Sequence, residues 1–179
     1  MAHIALNNDM PGIVGLLQHF PETAKPLTEL AQLILIARAS ASFTVTEREL
    51  VASYVSKMNQ CVFCSESHGA AANSHAKENA FAQKAWETQA HLPLKMQRAL
   101  AVAKKVQSLE FKSVSPAEVA ELKTLGMTDA DVHDLVLIAA AFCLYNRYVD
   151  GLGTQHPPAG HEAYKMMGEE LATRGYLMN

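Results

Sequence analysis

Cys61-Val62-Phe63-Cys64, followed by His68, is the stretch whose residue types can carry chemistry. A thiol at the start of a helix feels the partial positive charge of unpaired N–H groups. In C-x-x-C motifs this lowers a cysteine pKa from about 8.5 into the range of roughly 3.5 to 7.5. Three-residue spacing on a helix brings both sulfurs onto one face, close enough for a disulfide to close with little backbone movement. The pair can therefore cycle between dithiol and disulfide. His68 follows Cys64 by four residues on that same face, and an unperturbed imidazole, titrating near pH 6.5, accepts a thiol proton at physiological pH. Cys64 and His68 thus stand as nucleophile and base at contact spacing.

Glu49 is the next candidate. It lies ten residues before Asn59, about 15 Å of helix, while His68 lies seven residues after Cys61, about 10 Å. A chain reversal at Asn59-Gln60 into two antiparallel helices brings the two side chains within reach, and Glu49 can then orient His68 or relay its proton. Other readings stay open. Glu49 is also third after Thr46, where a capping-box glutamate reaches back to the backbone. The cysteines could be two small buried residues, or zinc ligands with His68, although a closed zinc site needs a fourth ligand and no second knuckle is present.

The remaining candidates are weaker. His75, His91, His133, His156 and His161 have no spacing that pairs them with the cysteines and read as surface or satisfied histidines. Cys143 reads as a buried core residue. Phe63, Phe142 and Tyr145 could line a pocket, but aromatics at helical spacing are more often core.

These residues need helices to position them, and helix is what the sequence offers. Apolar residues recur at three- and four-residue spacing, and alternating strand-like runs are scarce. A short helix is expected from Pro11 to about Phe20, and a longer one opening at Pro26. The capping box Thr46-Glu47-Arg48-Glu49 should start a helix running to about Met58. The next begins around Cys61, followed by a segment over residues 77–89 and another opened by Pro93. Ser115-Pro116-Ala117-Glu118 caps a short helix that Gly126 stops. Thr128 starts a strongly apolar helix to about Gly151, and a last one runs over residues 161–174. The expected fold is all-α, one domain over residues 1–179, with eight or nine helices and the motif core at residues 46–75. Residues 46–69 also lie over 128–151 at a constant offset of 82, pairing Thr46 with Thr128, Cys61 with Cys143 and Gly69 with Gly151. A duplicated helix pair would produce this match, and so would chance, because capping residues and apolar spacing recur in any all-helical chain.

Composition narrows the function classes. With 49% hydrophobic and 18% charged residues, the chain resembles an ordinary packed globule. A formal charge of -3 gives no long-range attraction to phosphate backbones or anionic lipid, so neither nucleic acid nor membrane is an expected partner. The first residues lack the basic and unbroken apolar regions of a signal peptide, and no apolar run approaches the ~20 residues of a membrane span. The expected location is the cytoplasm, where a C-x-x-C pair argues for redox or metal chemistry over a structural disulfide framework.

Glu49, eleven intervening residues, Cys61-x-x-Cys64, three residues and His68 resemble the E-x11-C-x2-C-x3-H signature of the alkylhydroperoxidase D-like family, within the carboxymuconolactone decarboxylase superfamily. The likeness looks closest to the uncharacterised peroxidase-related branch, and the helical frame with residues 142–153 extends it over most of the chain. The resemblance implies a thiol-dependent peroxidase. Cys64 would attack a peroxide and become a sulfenic acid, Cys61 would resolve it to a disulfide, and an external thiol or protein reductant would reopen that bond. Glu49 and His68 would form the proton relay. It also implies no metal or organic cofactor and a homo-oligomer, a trimer or hexamer. One departure is visible: alkylhydroperoxidase D itself has a further relay histidine between the cysteines, where this chain has Phe63. The superfamily includes decarboxylases without the cysteine pair, so two alternatives accompany this expectation: a carboxymuconolactone decarboxylase-like acid/base enzyme using His68 and Glu49, and a non-catalytic oligomeric redox sensor.

Overall fold

Helix caps and prolines divide the chain into its elements. A computed structural model describes residues 2–108 and 113–177. Among these residues are nine α-helices and no strand: α1 (Gly12–His19), α2 (Pro21–Gln32), α3 (Val45–Met58), α4 (Val62–Ala76), α5 (Phe81–Glu87), α6 (Leu94–Gln107), α7 (Pro116–Thr124), α8 (Asp129–Gly151) and α9 (Ala163–Arg174). A π-helical turn, Leu33–Ala37, continues α2.

Three starts differ from expectation, the first being the segment expected over residues 77–89, which is the shorter helix α5 from Phe81 because Lys77 and Ala80 turn left-handed (φ 54° and 58°) and end α4 before it. Helix α2 opens at Pro21, not Pro26, because a proline at the first helical position loses no bond. Pro26 lies inside α2 on its exposed side, where the Glu22 carbonyl that loses its partner can face water. Helix α3 opens two residues early. Thr44 is its N-cap, accepting the Glu47 N–H at 3.4 Å while the Glu47 carboxylate accepts the Thr44 N–H at 2.8 Å. Threonine and glutamate three apart occur twice in this stretch, and packing decides between them. Phe43, just outside the Thr44 cap, is fully buried under the Arg48 guanidinium, 4.6 Å from its ring centre, which fixes the entry angle of the chain as a hydrophobic staple does. Glu49 is thereby released from capping and faces inward.

Helices α3 and α4 form a tight antiparallel hairpin. Asn59 closes α3 and Gln60 adopts a left-handed conformation (φ 61°), after which the Cys61 N–H returns to the Ser56 carbonyl at 3.0 Å. Asn59 anchors the reversal by donating to Asn146 of α8 at 2.8 Å and accepting from Gln107 of α6 at 2.9 Å.

The region over which residues 46–69 were laid is one unbroken helix, α8, so no helix pair recurs there. At the offset of 82, Asn59 and Gln60 correspond to Ala141 and Phe142, which are buried helix formers with nothing to turn the chain. At 23 residues, α8 is long and apolar enough to cross a membrane by length and composition, in contrast to the expectation that no apolar run approaches that length. Here it packs against α3 and α6 and carries buried polar groups. Asp134 pairs with the buried Arg48 at 2.9 Å, and Asn146 donates to Ser56 at 2.9 Å. The main core lies among α3, α6 and α8, and a smaller cluster forms around the two cysteines. Helix α9 closes over α4. Gly168 makes this possible, since a Cβ there would stand 2.4 Å from the Ala70 carbonyl carbon.

Candidate active site

The α3–α4 hairpin supplies all four residues singled out from the sequence. Cys61 is the N-cap of α4 and is fully buried; Cys64, in the first turn, is 4% exposed. Phe63, Val149 and Tyr164 complete the apolar cluster around them, with Ile13 and Val14 of α1 and Met167 of α9 at its edge. Both cysteines are free thiols in one apolar cluster. Hydrogen bonding toward the neighbouring Cys64 thiol first, then burial and the Cys64 charge, push the Cys61 thiol far above the usual range. Cys61 therefore holds its proton and can donate it toward the Cys64 sulfur.

Glu49 is completely buried in α3, and the Nδ1–H of His68 donates to its Oε2 at 2.8 Å. A carboxylate only accepts, so the proton belongs on Nδ1 and Nε2 keeps its lone pair. Nε2 has no hydrogen-bond partner among the described residues. The ring is held edge-on by Phe142 of α8, with centroids 4.6 Å apart, so this aromatic, read as core, also fixes the imidazole. No hydrogen bond joins the Cys64 thiol to His68 among the described residues. The two stand one helical turn apart on the same face, and a proton passing between them needs a water or the substrate as a bridge.

Tyr176 was not anticipated. It lies past the end of α9, and its hydroxyl donates to Glu49 Oε1 at 2.5 Å and sits 3.2 Å from His68 Nδ1. Its ring stacks on the imidazole, with centroids 5.6 Å apart and planes within 10°. No motif or periodicity marks a lone tyrosine 127 positions after its partner.

The other candidates take structural places. His133 binds Asp134 at 3.0 Å, the His156 Nδ1–H donates to the Pro157 carbonyl, and His161 accepts the Ala163 N–H. His75 departs from the reading of satisfied histidines, because its Nε2 is buried with no hydrogen-bond partner. Cys143 is half-buried against the core, with the Asn59 amide 3.6 Å from its sulfur. Tyr145 donates to the Leu27 carbonyl at 2.9 Å. Among the described residues no group of three or more His, Cys, Asp or Glu side chains is arranged to hold a metal ion.

An open polar groove of about 420 Å³ runs between α4 and α9, lined by Glu66, Asn73, Tyr164 and Lys165 among others. Tyr164 is shared with the cysteine cluster, its ring centroid 6.3 Å from that of Phe63. Burial and then the nearby Glu66 push the Tyr164 hydroxyl up to about 12, so it stays neutral at physiological pH.

An all-helical chain that sets a C-x-x-C pair at the head of one helix and a buried Glu–His pair beside it has the fold of the alkylhydroperoxidase AhpD core. Neither a protein-family model nor a curated protein matches the chain; the relationship comes from solved structures. The crystal structure of an alkylhydroperoxidase AhpD core, an uncharacterised peroxidase-related protein from Ralstonia eutropha JMP134, is similar with a TM-score of 0.76 and 26% identity, covering 89% of this chain and 82% of that one. An uncharacterised peroxidase-related protein from Silicibacter sp. TM1040 shares the fold with a TM-score of 0.75 at 20% identity, covering 87% of this chain and 78% of that one. These neighbours are of the branch that the motif resembles.

Proposed function

We propose that the chain is a thiol-dependent peroxidase that reduces hydroperoxides through a dithiol/disulfide cycle on Cys64 and Cys61. The observation that carries this reading is the pair of free thiols at the N-cap and in the first turn of α4, with His68 one turn further on and hydrogen-bonded to Glu49. Peroxidase-related neighbours with this fold support the class of activity.

In this reading Cys64 passes its proton through a bridging water to His68 Nε2, and the buried Glu49 carboxylate stabilises the resulting imidazolium. The Cys64 thiolate attacks one peroxide oxygen. The O–O bond breaks, the sulfur becomes a sulfenic acid, and the departing alkoxide or hydroxide takes the proton from His68. Cys61 then attacks the Cys64 sulfur, an S–S bond forms, and hydroxide leaves with the Cys61 proton as water. An external thiol or protein reductant returns two electrons and two protons. We further propose that the chain works as a cytoplasmic homo-oligomer, a trimer or hexamer, which light scattering tests directly.

Rapid mixing with hydrogen peroxide and with an organic hydroperoxide, followed by thiol counting, tests the cycle. Two thiols should be lost per peroxide consumed. Equal oxidation rates in wild type and a Cys64→Ser variant would overturn the assignment.

A further inference from the structure

Beyond α9 the chain crosses back to the hairpin and adds to the site a residue from outside it. Gly175, at φ +71°, packs on Gln32 so closely that a Cβ would meet its Oε1 at 2.4 Å. The Tyr176 N–H donates to that same Oε1 at 2.8 Å. The strap is thus pinned to the end of α2, and the side chain that follows the pin reaches Glu49 and His68.

We propose that Tyr176 is a positioning residue for the peroxidase reaction: its hydroxyl and ring hold the Glu49–His68 pair in the form in which Nε2 can accept a proton. This inference rests on the peroxidase reading. Three contacts carry it. Glu49 has two oxygens and no water-exposed surface; one oxygen takes the His68 Nδ1–H and the other takes the Tyr176 hydroxyl. A buried carboxylate with a free lone-pair set is costly, and a second donor is what lets it remain an anion behind the imidazole. Stacking of the Tyr176 ring on one face and the edge contact with Phe142 fix the plane of the imidazole. The hydroxyl stays a donor, because burial and then the Glu49 charge keep it well above the usual tyrosine range.

The titratable groups facing His68 are few. Glu49 faces it from α3 and Tyr176 from the strap, and Cys64 lies a turn away on its own helix. Helix α8 offers Phe142, with Tyr145 behind it spent on the Leu27 carbonyl. Gln32 of α2 is neutral. Removing the hydroxyl therefore acts on one pair. It leaves Glu49 a stronger proton attractor, so the pair binds a proton more tightly and Nε2 is blocked at higher pH.

Tyr176→Phe keeps the ring and removes the donor. The pH dependence of Cys64 oxidation by hydrogen peroxide should show its acid limb moved upward by about one pH unit, a loss of about tenfold in rate on that limb, with the plateau little changed. The midpoint of the His68 ring-proton NMR titration should move the same way. Gln32→Ala, which loosens the strap without touching the pair, should give a smaller shift of the same sign and guards against a folding defect in the first variant. Superimposable titrations in wild type and Tyr176→Phe would overturn the inference. If the titration moves but wild type consumes no peroxide, the positioning role stands and the peroxidase reading falls.

Discussion

Two thiols three residues apart in one helical turn become chemically unequal through what each one meets. Cys61 is fully enclosed beside its partner and pushed to hold its proton, whereas Cys64 keeps a sliver of exposure and lies one turn from the imidazole. In the proposed cycle this sets Cys64 as nucleophile and Cys61 as resolving thiol. Cys64→Ser should abolish rapid peroxide consumption. Cys61→Ser should still react once and then stall one oxygen atom heavier at Cys64, which intact-protein mass spectrometry reads directly. A Cys61→Ser protein that turns over like wild type would assign resolution to another thiol. Glu49 admits an equally sharp test, because the carboxylate is buried and only its charge supports an imidazolium. Glu49→Gln should cost on the order of 10²-fold in the rate of Cys64 oxidation near neutral pH while leaving the C-x-x-C pair able to form a disulfide.

At the scale of elements, the sequence announced most helices through their ends. Ser115-Pro116 with Glu118, Thr128 with Asp131, and Pro93 stand where α7, α8 and α6 begin. It failed where two signals competed. Thr44 and Thr46 each precede a glutamate by three, and only the burial of Phe43 selects Thr44. The choice matters for the site, since it decides whether Glu49 caps a helix or supports His68. Thr44→Ala should therefore destabilise by about 1 kcal/mol, while Thr46→Ala stays within about 0.5 kcal/mol, in urea unfolding followed by circular dichroism. Equal losses would return the cap to Thr46. Glu49, Cys61, Cys64 and His68 were legible because the hairpin makes their contacts local. Tyr176 and Phe142 were not, because an aromatic that reaches the site from a distant element carries no spacing of its own. Helix α9 shows the same limit. Gly168 looks unremarkable in sequence, yet its missing Cβ lets α9 seat on Ala70 and bring Tyr164 to the cysteines and Tyr176 to Glu49. Gly168→Ala pushes a Cβ against the Ala70 backbone and should cost roughly 1–3 kcal/mol, with a drop of several degrees in the thermal midpoint and a slower Cys64 oxidation.

At the scale of the molecule, a buried charge network ties α8 to the start of α3, and it makes stability depend on acid. Arg48 is fully buried; it lies 2.9 Å from Asp134 and 3.8 Å from Asp131, and donates to the Ile34 and Arg38 carbonyls. Burial alone would raise the Asp131 carboxyl, but the Ser42 hydroxyl, the Thr128 N–H and hydroxyl, and the Ser40 hydroxyl outweigh it and bring it down to about 2. Asp134 is lowered as well, with burial again overcome by donors, here His133, Arg48 and Arg38. An aspartate that titrates near 3.9 when unfolded and near 2 when folded gives stability that is complete above about pH 5. That stability disappears as the pH falls through the folded value. The Asp131 share is roughly 2 kcal/mol. Unfolding free energy measured in urea should thus be level from neutral pH to about 5 and should fall between about 4 and 2. Asp131→Asn should start lower and lose part of that slope, because its amide does not titrate in this range and its oxygen can still accept a hydrogen bond. A wild-type profile that stays level from pH 4 to 2, or a variant with the full wild-type slope, would show that α8 is not held to the hairpin by these carboxylates.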